Sequence, residues 1–189
     1  VVTAAHHNCF DALMADVIKH VGKESSRVFT TLDTEMTLST LWDHEGLEAV
    51  CSKEDLRQDA CEVERSIPLK ETIENEMDRE EEYKRRFWAR RPDGIVVDEK
   101  KETCYVLEFK RKMDRWMGYR EEATDKATNQ YASLMHGLQG ASKWTVHLVI
   151  IVGGMCGSVH IETFNKNMEL MGVIESKWNE VRRQQVFNL

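Results

Sequence analysis

Asp93, Glu108 and Lys110 are the residues in this chain whose types and spacing suggest chemistry. They lie in RPDGIVVDEKKETCYVLEFKR, on two segments that are otherwise apolar. Residues 91–98 and 103–111 alternate as strands, and the polar run Glu99-Lys100-Lys101-Glu102 between them is a turn. The simplest hairpin register then sets Val97 opposite Cys104, Ile95 opposite Val106 and Asp93 opposite Glu108. Side chains alternate across a strand, so Glu108 and Lys110 share a face with Cys104 and Val106, while Tyr105, Leu107 and Phe109 cover the other. Like charges placed opposite each other destabilise a sheet, and a charge taken out of water is costly unless paired. A divalent cation between the two carboxylates would remove that cost.

The elements around this pair must hold it in place. Residues 6–21 carry Phe10, Leu13, Met14, Val17, Ile18 and Val21 at helical spacing, with Gly22 as a stop. Residues 27–38, rich in β-branched side chains, are expected to form a first strand bearing Glu35. The segment 43–87 is acidic and helix-forming, with a break at Ser66-Ile67-Pro68 and a long second half from 70, and it suggests a helical insertion or cap. After a link at 114–118, residues 119–138 predict a helix with Ala123, Ala127, Tyr131, Leu134 and Leu138 inward, ending at Gly140. A buried strand is expected at 143–152, broken by Gly153-Gly154, and a short one at 158–162. Phe164, Met168, Met171, Ile174, Trp178 and Val181 recur on one face of a long C-terminal helix, 161–187, suited to the core or to a homodimer seam.

Bulk composition fits one α/β domain: 189 residues, 41% hydrophobic and 31% charged. No apolar run approaches the length of a membrane span. Five scattered cysteines, none in a C-x-x-C pair, suit a reducing intracellular compartment, the nucleus if the source is eukaryotic. The start, VVTAAHH, lacks an initiator Met and a basic leader, and suggests a piece of a longer protein. The net charge of −7 hides an asymmetry: residues 43–82 hold 15 acidic against 5 basic side chains, whereas 84–120 hold 12 basic against 6 acidic. A local basic patch is how a phosphate backbone is met. Lys84, Arg85, Arg86, Arg90, Arg91, Arg111, Lys112 and Arg115 are its candidates, and the alternative for each is a solvated face balancing the acidic segment.

The order helix, three strands, helix, strand, with Pro92-Asp93 on the second strand and Glu108-Phe109-Lys110 on the third, resembles the PD-(D/E)XK nuclease superfamily. That superfamily includes type II restriction enzymes, archaeal Holliday-junction resolvases and the restriction-like endonuclease domains of retrotransposons. The resemblance covers roughly 1–40 and 88–155. It implies a restriction endonuclease-like αβββαβ core, with a central mixed sheet flanked by helices. It further implies a metal-dependent endonuclease acting on DNA, with RNA as the other candidate, as the cleavage module of a mobile element or another multidomain protein. On that resemblance Asp93, Glu108 and the backbone carbonyl of Phe109 would bind Mg2+ or Mn2+, which prefer hard oxygen ligands. Lys110 would position the attacking water and the phosphate, its alternative being a plain salt bridge to either acid. Glu35 or His7 would add a ligand, or be an exposed strand and helix-start residue. Lys126 and Gln130, four apart on the helix after the motif, would face the substrate or solvent. Trp116 beside Arg115 would stack on an unpaired base or close the core. The different-class alternative is a nuclease-like module that binds nucleic acid or protein without cutting.

Overall fold

A computed structural model describes residues 26–30, 36–43, 45–113, 118–154, 158–173, 175–176 and 178–179, with the backbone alone at 26–30, 45–46 and 111. Four strands form one mixed sheet in the order β1 (Ser26–Thr30), β2 (Gly94–Asp98), β3 (Thr103–Lys112), β4 (Thr145–Gly154). β1, β2 and β3 are antiparallel in turn, and β4 runs parallel to β3. A parallel neighbour cannot be reached by a tight turn. The crossover is the helix α5 (Tyr119–Ala141).

Among the described residues between β1 and β2 are four helices: α1 (Leu38–Trp42), α2 (Glu45–Glu48), α3 (Lys53–Ser66) and α4 (Glu76–Trp88). Local chemistry sets their limits. Ser52 caps α3 by accepting the Asp55 N–H at 3.1 Å, and Asn75 caps α4 by accepting that of Met77 at 2.9 Å. Acidic residues open both helices and arginines close them, as the helix dipole favours. Pro68 disfavours helical backbone at Ile67, so α3 ends there.

Both faces of the sheet are covered, which is why every residue of β2 is buried. On one side Val96, Tyr105, Leu107, Phe109, Val149 and Ile151 pack against Phe164 and Met168 of α6 (Ile161–Leu170). On the other, Ile95, Val97, Cys104 and Val106 pack against Tyr131, Leu134 and Leu138, and this cluster continues through Leu56, Ala60 and Phe87 to the α1 residues Leu38, Leu41 and Trp42. α3 lies so close to α5 that a Cβ on Gly137 would come within 2.7 Å of the Leu56 carbonyl oxygen. The acidic segment is therefore built into the core through α3 rather than laid over it as a cap.

Two of the three expected pairs are observed, Val97 with Cys104 and Ile95 with Val106, and the turn is 99–102; Asp93, expected opposite Glu108, lies before the paired residues of β2. The Asp98 carboxylate accepts the Lys101 N–H at 3.1 Å, and Glu102 takes a φ of 49° to close the turn. The inward set on α5 is also observed, with Ala123, Ala127, Tyr131, Leu134 and Leu138 all fully buried.

Several boundaries are corrected. The first strand does not reach 38: β1 is described over Ser26–Thr30, and Leu38 opens α1, capped by Thr37. β2 begins at Gly94 rather than 91, and α4 at Glu76 rather than 70. Gly153 and Gly154 continue β4, and the strand expected at 158–162 shrinks to one bridge between Gly153 and Val159. The helix expected over 161–187 stops at Leu170, where Gly172 turns the chain with a φ of +76° that only glycine adopts without strain. Backbone beyond the turn is helical again at 175–176 and 178–179. The first helix, 6–21, lies outside the described residues. Among the described residues no helix is long and apolar enough to cross a membrane.

Candidate active site

Asp93 precedes β2 and is half-buried between Pro92 and Gly94. Its Oδ2 accepts the backbone N–H of Phe109 at 2.7 Å, which fixes the carboxylate against β3 beside Glu108. Glu108 is 4% exposed. Burial pushes its carboxyl above the usual range, and the charge of Asp93 pushes it further; Lys110 and Tyr131 oppose both effects without cancelling them.

Three side chains complete the cluster. The Lys110 Nζ forms an ion pair with Glu108 Oε1 and lies 3.4 Å from Gln130 Oε1. The Tyr131 hydroxyl donates to Glu108 Oε2 at 2.7 Å, with the carbonyl oxygen of Arg91 as a second acceptor at 3.0 Å. Burial, then the nearby Glu108 charge, raises the Tyr131 phenol far above its ordinary value, so the hydroxyl keeps its proton and can donate it. Tyr131 was legible in the sequence as a core residue but not as a partner of Glu108. The signal was present, because a tyrosine at a fully buried position needs a partner for its hydroxyl.

Gln130 is thus brought to Lys110, and Lys126 is not. Lys126 is 63% exposed and pairs with Glu122, whose carboxylate also lies 3.8 Å from Lys112. Arg91 is exposed on the surface. Arg90 is turned inward instead: its side chain is 9% exposed, 2.6 Å from Glu64 Oε2, and donates through Nε to the Gln130 carbonyl at 2.9 Å. This removes it from the phosphate-binding surface expected for it. Arg86 is likewise committed to Glu64, at 2.5 Å, and Arg85 pairs with Glu82. Arg111 pairs through its backbone with Gly153. His7, Glu35, Arg115 and Trp116 lie outside the described residues.

Two carboxylates lie near each other here, and carboxylate oxygens are the hard donors that Mg2+ and Mn2+ prefer. Among the described residues no group of three or more His, Cys, Asp or Glu side chains is placed to hold a metal ion, so two acids are what this part of the chain offers. Comparison of the chain with protein-family models, curated proteins and solved structures found no match.

Proposed function

We propose that the chain is a metal-dependent endonuclease domain that hydrolyses DNA phosphodiester bonds, with a restriction endonuclease-like core. The observation that carries this is the approach of two carboxylates, Asp93 just before β2 and Glu108 on β3, at a spot where burial and their repulsion together outweigh what Lys110 and Tyr131 offset. The β1–β2–β3–α5–β4 order, with the acids at β2 and β3, supports the same reading.

Asp93, Glu108 and the Phe109 carbonyl would hold Mg2+ or Mn2+. The chemistry such a cation would supply is a more acidic water and stabilisation of charge on the phosphoryl oxygens. The protein's own groups do the rest. The Phe109 N–H fixes Asp93, and the Tyr131 hydroxyl donates to Glu108 Oε2. Lys110 neutralises Oε1 in the absence of a cation. Its ammonium would orient the attacking water and a non-bridging phosphate oxygen, with the Gln130 side chain beside the amine. Water oxygen bonds to phosphorus and gives up a proton to solvent, while the bond to the leaving sugar oxygen breaks and that oxygen takes up a proton from solvent. Lys112, Arg91 and Lys126 offer surface charge for the flanking phosphates. A role in a mobile element, and with it a nuclear setting, belongs to this same proposal.

Incubating the protein with plasmid and branched DNA in Mg2+ or Mn2+ tests it. Wild type should cut, and Asp93→Asn, Glu108→Gln and Lys110→Ala should each lose at least about 10²-fold in rate, the scale on which single electrostatic groups act in catalysis. No cutting by wild type, or full cutting by Asp93→Asn, would overturn the proposal.

The Lys110–Glu108 ion pair favours a second interpretation, a module that binds nucleic acid or protein without cutting. Metal-independent DNA affinity with no cleavage would select it.

A further inference from the structure

Outside the site, a buried polar cluster joins α3, the end of α4 and α5. Glu64 is 2% exposed. Its Oε1 accepts from Arg86 Nε at 2.5 Å, and its Oε2 accepts from Arg90 Nη2 at 2.6 Å and from the Ser133 hydroxyl at 2.6 Å. Arg86 spends its other donors on the carbonyls of Glu64, Ile67 and Pro68. Arg90 spends its Nε on the Gln130 carbonyl and lies over the Phe87 ring. Burial works against the charged form of Glu64, but Ser133 and the two guanidinium groups outweigh it and hold the carboxyl below its usual range.

What this cluster grips is informative. Gln130 and Ser133 are three apart and so stand on one turn of α5. That turn also carries Tyr131, whose hydroxyl meets Glu108, and the Gln130 side chain that meets Lys110. On the other strand of the connection, Arg90 sits three residues before Asp93; its own carbonyl accepts the Leu38 N–H at 2.7 Å, and the next carbonyl, of Arg91, faces the Tyr131 hydroxyl. One guanidinium therefore ties the segment that delivers Asp93 to the helical turn that delivers Gln130 and Tyr131.

We propose that Arg90, held by Glu64, is a positioning residue that sets the spacing between Asp93 and the Gln130–Tyr131 turn; this rests on the nuclease proposal for its catalytic consequence. A planar fork bridging a carboxylate and a carbonyl cannot be replaced by the single ammonium of lysine. Exposed Arg65, whose two hydrogen bonds to Glu80 join α3 to α4, is the control that separates positioning from simple stapling.

The test compares Arg90→Lys, Glu64→Gln and Arg65→Ala, each confirmed folded by circular dichroism at the assay temperature. It follows Mg2+-dependent cleavage together with the NMR signals of the Gln130 side-chain amide and the Tyr131 ring. Arg90→Lys and Glu64→Gln should lower kcat by about 10²-fold with KM for DNA nearly unchanged, as expected of a displacement near 1 Å at the reacting groups. Both should move the Gln130 and Tyr131 signals, and Arg65→Ala should do neither. Unmoved Gln130 and Tyr131 signals in folded Arg90→Lys, or an unchanged kcat, would overturn the proposal. Should wild type fail to cut, the nuclease proposal falls while the NMR comparison still decides whether Arg90 positions the turn.

Discussion

Glu64 and Glu108 are both carboxylates buried beside α5, and their surroundings differ in a way that separates scaffold from site. Glu64 faces two guanidinium groups and a hydroxyl, and its charge is favoured despite burial. Glu108 faces one ammonium, one hydroxyl and a second carboxylate, and burial with that repulsion leaves its charge disfavoured. A fully satisfied buried carboxylate has nothing left to bind. An under-compensated one, at a position open enough for Lys110 to be 29% exposed, retains attraction for another cation.

Removing the two charges should break the comparison most visibly. Glu64→Ala leaves Arg86 and Arg90 buried without their shared counter-ion, and should cost about 3–5 kcal/mol in chemical denaturation. Glu108→Gln keeps a hydrogen-bond acceptor for Tyr131 and relieves Asp93, so in metal-free buffer it should change stability by only about 1 kcal/mol or less, in either direction. Equal losses at the two positions would end the distinction.

A smaller effect sharpens it through pH. Because Glu64 titrates below its unfolded value of about 4.3, its contribution is present above that pH and is lost as pH falls from there through the folded value. Glu108 titrates above its unfolded value, so its contribution has the opposite sign: present below about pH 4.3 and lost as pH rises through the folded value. Stability measured against pH for wild type, Glu64→Gln and Glu108→Gln, with chelator present, should give difference curves of opposite slope. Curves of the same slope would contradict the assignment.

The two regions were not equally legible in the sequence. Register at the Asp93–Glu108 hairpin could be read because a four-residue polar turn between apolar runs leaves little freedom, and strand alternation then fixes faces. The Glu64 cluster was hidden, although Leu56, Ala60 and Glu64 recur every fourth residue on the face that α3 buries. What decides that a glutamate on such a stripe is core rather than rim is the arrival of Arg86, Arg90 and Ser133, 22 to 69 residues away. The same lack of distant information misplaced the first strand's end, since Leu38 is drawn into a helix whose first N–H bonds to the Arg90 carbonyl. The C-terminal stripe misled for a different reason. Met171 is buried whether or not the helix continues, so periodicity could not reveal the turn at Gly172.

The most direct measurement is the anomalous difference map of a crystal soaked in Mn2+. A peak between the Asp93 and Glu108 carboxylates, with the Lys110 ammonium withdrawn from Glu108, is the predicted result. An empty map there, with Lys110 still paired to Glu108 at a Mn2+ concentration that supports cleavage, would contradict the account.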